Sequence, residues 1–178
     1  MEIKDLLQDR REVILKKWSH VLLQSYPEET SRFFRKEKDP FANPVGSAFM
    51  EGISGIYRSV LNGVDRDEVS PFLDRIIRIR AVQDFTPSEA IGFLFLLKKV
   101  IREELFNEIS QKGLKEELYV IESRIDDLAL IAFDIYMQCR EKIYDLKASE
   151  LRNMTYKLLE RANLLKDFND EANGDGSG

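Results

Sequence analysis

One histidine, His20, one cysteine, Cys139, and scattered carboxylates and arginines are the side chains with which this sequence could do chemistry. A nucleophile, histidine and acid arrangement would have to use His20, which beside Trp18 and Val21 reads instead as a surface or interhelical histidine. The pairs Asp126/Asp127 and Glu103/Glu104 are adjacent in sequence, so on a helix they point in different directions and make a poor hydrolytic metal site. Glu-x-x-His spacing is absent, as are GxGxxG, GxxxxGK and GxSxG, the usual anchors of metal, nucleotide and hydrolase sites. We therefore expect no enzyme, no catalytic residue, no metal and no cofactor. Cys139 reads as a small buried hydrophobe, since a redox switch would need a lowered thiol pKa or a partner thiol from a second chain.

The polar groups best placed to hold a small-molecule effector are Asn43 at a helix start, with Arg78, Arg80 and Gln83 near a later junction. The competing reading makes these arginines ion-pair partners of Asp84 or Glu103. Charge excludes other partners. The 27 basic and 32 acidic residues leave a net charge of -5, and the longest basic cluster, Arg32, Arg35, Lys36 and Lys38, is broken by Glu37, so no nucleic acid is expected. The charged start from Glu2 to Arg11 lacks the apolar core of a secretory signal, and the run Ile91 to Leu97 is too short to span a bilayer. One cysteine fits a reducing compartment, and the expectation is a cytoplasmic protein that is not integral to a membrane.

The elements that must position these residues are helical. The sequence of 178 residues, 43% hydrophobic, suits an all-α single-domain bundle over 1–166, with an acidic, Gly-rich, disordered tail over 167–178. Ile3, Leu6, Leu7, Ile14, Trp18, Val21 and Leu22 predict a first helix, which ends or is followed by a second segment at Pro27. Asn43-Pro44 predicts a start at Pro44 and Asn62-Gly63 an end, with Gly52 and Gly55 allowing close helix packing. Ser70-Pro71 predicts a helix over about Pro71 to Val82. Thr86-Pro87-Ser88-Glu89 is a capping box opening a helix to about Glu108, its first half central and buried, before a break at Gly113. From Leu114, the residues Leu118, Ile121, Ile125, Leu128, Ala132, Ile135 and Cys139 step by three and four. The series continues by four to Ile143, by three to Leu146 and, after a gap of five, to Leu151, Met154 and Leu158, which predicts one long helix, or two with a slight bend, to about Lys166. The stretch from Leu118 to Cys139 predicts a homodimer seam.

Two stretches, Asp39-Pro40-Phe41-Ala42-Asn43-Pro44-Val45-Gly46 and the run from Arg75 through Phe85-Thr86-Pro87-Ser88-Glu89 to Ala90, resemble the N-terminal domain of RsbRD-type RsbT co-antagonists. The resemblance covers about Trp18 to Tyr144. It implies a stressosome-type sensory module, normally followed by a STAS domain that engages a switch kinase, so a regulatory protein of STAS or kinase type is the implied partner. The phosphorylatable residues of the STAS half have no counterpart in this sequence, and control through them does not carry over. By analogy with related input domains the packing is expected to be globin-like without haem, because His20 lies in the first helix and not where a globin carries its proximal ligand. The expected function is a stand-alone signalling input domain that senses a small molecule or a partner and acts through a helical dimer. The alternatives are a haem- or redox-linked sensor using His20 or Cys139, and a structural adaptor.

Overall fold

The structure, a computed structural model, describes residues 2–26, 28, 31 and 43–162. Every regular element among them is an α-helix, as the 3.6-residue periodicity predicts. The segment after Pro27 with Phe33 and Phe34, and the tail 167–178, lie outside the described residues. Met1–Cys139 forms one compact unit and Arg140–Gly178 a second.

In the first unit, α1 (Ile3–Asp9) and α2 (Arg11–Gln24) replace the single helix expected there. The Tyr57 hydroxyl donates to the Leu7 carbonyl (2.8 Å), the acceptor that an unbroken helix would offer to Arg11. Leu6, Leu7, Ile14, Trp18 and Leu22 are nevertheless all buried. Burial raises the Tyr57 phenol above its ordinary value of 10.0, with Arg11 pulling weakly the other way. The unfolded chain therefore loses this proton first, so stability is lost as pH rises from about 10. Urea midpoints should be flat from about pH 7 to 9 and fall above about pH 10. Tyr57→Phe should start about 1 kcal/mol lower for its lost hydrogen bond, yet fall less steeply.

Helix α3 (Pro44–Asn62) starts as the sequence predicts, with Asn43 Oδ1 accepting from the Gly46 amide (2.8 Å). Gly63 at φ 109 ends it, and Arg124 Nη1 donates to the last-turn carbonyls of Val60 (2.8 Å) and Leu61 (3.1 Å). Helix α4 spans Arg66–Val82, not Pro71 to Val82. Asp65 is the cap, accepting from the Glu68 amide (3.0 Å), while Ser70 donates to the Arg66 carbonyl (2.6 Å) inside the helix. Pro71 is tolerated there because both it and Asp67, whose carbonyl loses its helical donor, face solvent. The glycines of α3 bring α4 close: a Cβ on Gly52 would sit 2.9 Å from the Phe72 carbonyl oxygen, and one on Gly55 2.2 Å from the Phe72 ring.

The capping box forms, with Glu89 N–H to Thr86 Oγ1 (3.4 Å) and Thr86 N–H to Glu89 Oε2 (2.9 Å). It opens three successive pieces, α5 (Pro87–Ile91), α6 (Phe93–Glu104) and α7 (Phe106–Lys112), in place of the one helix expected to about Glu108. Leu105, at the break between α6 and α7, is fully buried in line with Ile101 and Ile109, and its amide still donates to the Ile101 carbonyl (3.0 Å). The first half is central, but not on every side. Ala90, Ile91, Phe93, Leu94 and Leu97 are buried, whereas Phe95 and Leu96 are exposed. Trp18 stacks on Phe93 (centroids 5.8 Å) and its indole N–H donates to the Phe93 carbonyl (2.7 Å), locking α2 to α6. Gly113, at φ 71, takes the left-handed conformation before α8 (Lys115–Arg161), a single helix. Within the first unit α8 buries Ile121, Ile125, Leu128 and Ala132. Described residues of the second unit are half-buried at most. No described helix is long and apolar enough to cross a membrane.

Candidate functional site

The four residues expected to hold an effector are placed apart in role. Asn43 is a buried helix cap. Arg78 is exposed and grips Asp74 through Nε (3.1 Å) and Nη2 (3.0 Å), which holds its pKa above the ordinary value. Gln83 is exposed at the end of α4, and Arg80 is 1% exposed. No hydrogen bond or ion pair joins any two of these four among the described residues. Nor does Asp84 or Glu103 take either arginine, and Glu103 instead meets Lys99.

Arg80 sits in a box of three rings, its Cζ 4.5 Å from the centroid of Phe85, 5.2 Å from Tyr26 and 5.7 Å from Phe93. Nη2 donates to the Glu89 carbonyl (2.9 Å) and Ser25 Oγ (3.0 Å), and Nη1 to the Tyr26 hydroxyl (3.3 Å). Desolvation pulls its pKa below the ordinary value, and Tyr26 pushes the other way. Among the described residues its Nε has no hydrogen-bond partner. The arginine ties the end of α2 to α4 and α5, a positioning role inside the core.

His20 is exposed beside Gln24, with Nε2 to Nε2 at 3.1 Å, and Cys139 is half-buried against the core. Among the described residues, no three His, Cys, Asp or Glu side chains group to hold a metal.

The stripe expected as a dimer seam faces the chain's own core. Ile121, Ile125, Leu128, Ala132 and Ile135 are buried, and Leu118 and Cys139 pack half-buried against the same cluster. The first unit already covers these residues, so a second copy would have to meet others. Periodicity reports that a helix face is buried and is silent on what buries it.

Helix α8 carries a second apolar set outside that core. In the first unit Leu130, Phe133 and Met137, separated by three and four positions, are exposed. In the second unit Tyr144, Leu151, Met154 and Leu158, separated by seven, three and four, are exposed as well. Leu130 and Phe133 also line, with Ile91 and Phe95, an apolar groove of about 600 Å³ beside α5 and α6. Leu151, Met154 and Leu158 are legible in the sequence as the continuation of the long-helix stripe, whereas Leu130, Phe133, Met137 and Tyr144 are masked there by the stronger series that forms core.

A second groove, of about 880 Å³, opens beside α2, α3 and α4 and includes Arg11, Ser54, Arg58 and Phe72 in its lining. Arg11 Nη2 donates to Ser54 Oγ (2.6 Å), and Arg58 Cζ lies 5.4 Å over the Phe72 ring. No sequence spacing joins Arg11 to Arg58, and packing alone makes them neighbours of one groove. The one local signal is Gly55, whose missing side chain admits the Phe72 ring.

Residues 12–151 match the family model of the RsbT co-antagonist protein rsbRD N-terminal domain. No curated protein and no solved structure matches.

Proposed function

The chain belongs to the RsbRD N-terminal domain family, and from that premise we propose that it is a non-catalytic signalling input module that pairs with a second copy through the outer stripe of α8. The family supports a stressosome-type role. The observation that carries the pairing is the exposed set Tyr144, Leu151, Met154 and Leu158, four apolar residues at heptad-compatible spacing on a helix segment with no buried residue of its own. Two copies related by a two-fold axis would bury this set against itself. The signal is a small molecule or a partner protein, and the output passes to a regulatory protein of STAS or kinase type through the paired helices.

Cross-linking tests the pairing. In a Cys139→Ser background, Leu151→Cys should form disulfide-linked dimers rapidly under mild oxidation, because the two thiols would face each other across the seam. Asn153→Cys, about 160° away around the helix, should form few. Equal yields from both positions would remove the outer stripe as the contact surface.

A further inference from the structure

In the first unit, the arginines sort by partner. Arg10, Arg66, Arg75, Arg78 and Arg102 each meet a carboxylate: Glu108, Asp134, Glu51, Asp74 and Glu122. Arg124 caps carbonyls and Arg80 fills the aromatic box. Among the described residues, Arg11 and Arg58 alone in this unit have neither a carboxylate nor a carbonyl partner, and both line the larger groove. The groove's own acid, Glu51, is already engaged by Arg75. Two uncompensated guanidiniums therefore face one cavity on a chain whose net charge is -5.

The remaining lining is amphipathic. Met50, Leu61 and Phe72 supply apolar surface, and Ser54 and Asn62 supply polar groups. The Phe72 ring has a fixed seat, since at Gly55 there is no Cβ to displace it. A cavity of about 880 Å³ falls in the range of small-molecule sites, which combine apolar walls with a few convergent polar groups.

We propose that this groove binds an amphiphilic anion, its carboxylate or phosphate head held between Arg11 and Arg58 and its short apolar body laid on Phe72, Met50 and Leu61. A guanidinium presents paired donors that match either head group, and Ser54 orients that of Arg11. Identifying this ligand as the module's input rests on the signalling role proposed above, but the binding does not.

Isothermal titration with the full chain tests it, using octanoate and octyl phosphate as amphiphilic anions, inorganic phosphate as head alone, and octylamine as tail with the opposite charge. Binding of octanoate or octyl phosphate at one site per chain is expected, with amide shifts at Ser54, Gly55 and Arg58; which of the two is tighter identifies the head group. Phosphate alone should bind at least tenfold more weakly and octylamine not at all. Arg58→Gln, a change at an exposed side chain, should weaken the tighter anion at least tenfold while leaving the ligand-free melting temperature unchanged. Arg11→Lys should keep more of the affinity than Arg11→Gln. Absence of binding by both amphiphilic anions at millimolar concentration would overturn the proposal. So would equal binding of octylamine, or an unchanged affinity in Arg58→Gln. The Leu151→Cys cross-link reads the pairing separately, so failure of one leaves the other standing.

Discussion

Arg80→Ala is expected to be the most damaging single truncation at a polar position of the core. It removes the donors to the Glu89 carbonyl, Ser25 and Tyr26, and empties a box lined by Tyr26, Phe85 and Phe93. Truncating a large buried side chain costs roughly 3–5 kcal/mol, and orphaned acceptors add to it, so a melting-temperature loss of about 10 °C is expected for a domain of this size. The comparison with Arg80→Met separates the causes. Arg80 carries its charge into the core; among the described residues it has no carboxylate in direct contact, and its Nε finds no acceptor. Methionine refills the volume without that desolvation cost, so Arg80→Met should lose only about 1–2 kcal/mol. Equal losses in both variants would mean that the hydrogen bonds, and not the filled volume, dominate.

The second large effect is on assembly. Leu151→Glu combined with Leu158→Glu places four carboxylates in the proposed two-fold seam, and each apolar-to-charged change at such a position costs on the order of 1–2 kcal/mol. The dissociation constant of the pair should rise at least about a hundredfold, tenfold for each 1.4 kcal/mol. Emission of the buried Trp18 should not change, since Leu151 and Leu158 are both exposed. Ile125→Glu provides the contrast. Ile125 is fully buried, so this variant should unfold the first unit and shift Trp18 emission to the red.

These two predictions mark the limits of what is legible in the sequence. Local signals agree with the structure: the Asn43-Pro44 start, the Thr86 to Glu89 capping box and the turn at Gly113 all depend on residues within a few positions of one another. Sequence and structure differ where a distant residue decides the outcome. Tyr57 takes the Leu7 carbonyl at the point where α1 and α2 separate. At α4 the difference is local instead: of two nearby cap candidates Asp65 is used and Ser70 is not, because Pro71 can sit in an exposed helix interior. In the sequence Arg80 resembles a ligand-binding arginine because a cation between apolar residues suggests recognition. Its counterparts are the Tyr26, Phe85 and Phe93 rings, the Ser25 and Tyr26 hydroxyls and the Glu89 carbonyl, from the end of α2, the α4–α5 turn, α5 and α6, which no spacing along α4 reveals. The stripe expected as a dimer seam has a related explanation. Helix α8 carries two apolar series, and the stronger one, through Ile121, Ile125, Leu128 and Ile135, belongs to the chain's own core. The groove with Arg11 and Arg58 has no sequence signature because it joins positions from different helices.

Pairing through the outer stripe of α8 is the claim on which the signalling reading depends, and sedimentation equilibrium of the unaltered chain tests it most directly. At high micromolar concentration, pairing predicts twice the chain mass of 20.7 kDa, reverting to the single-chain mass in the Leu151→Glu, Leu158→Glu variant. A single-chain mass for the unaltered protein under those conditions would contradict it.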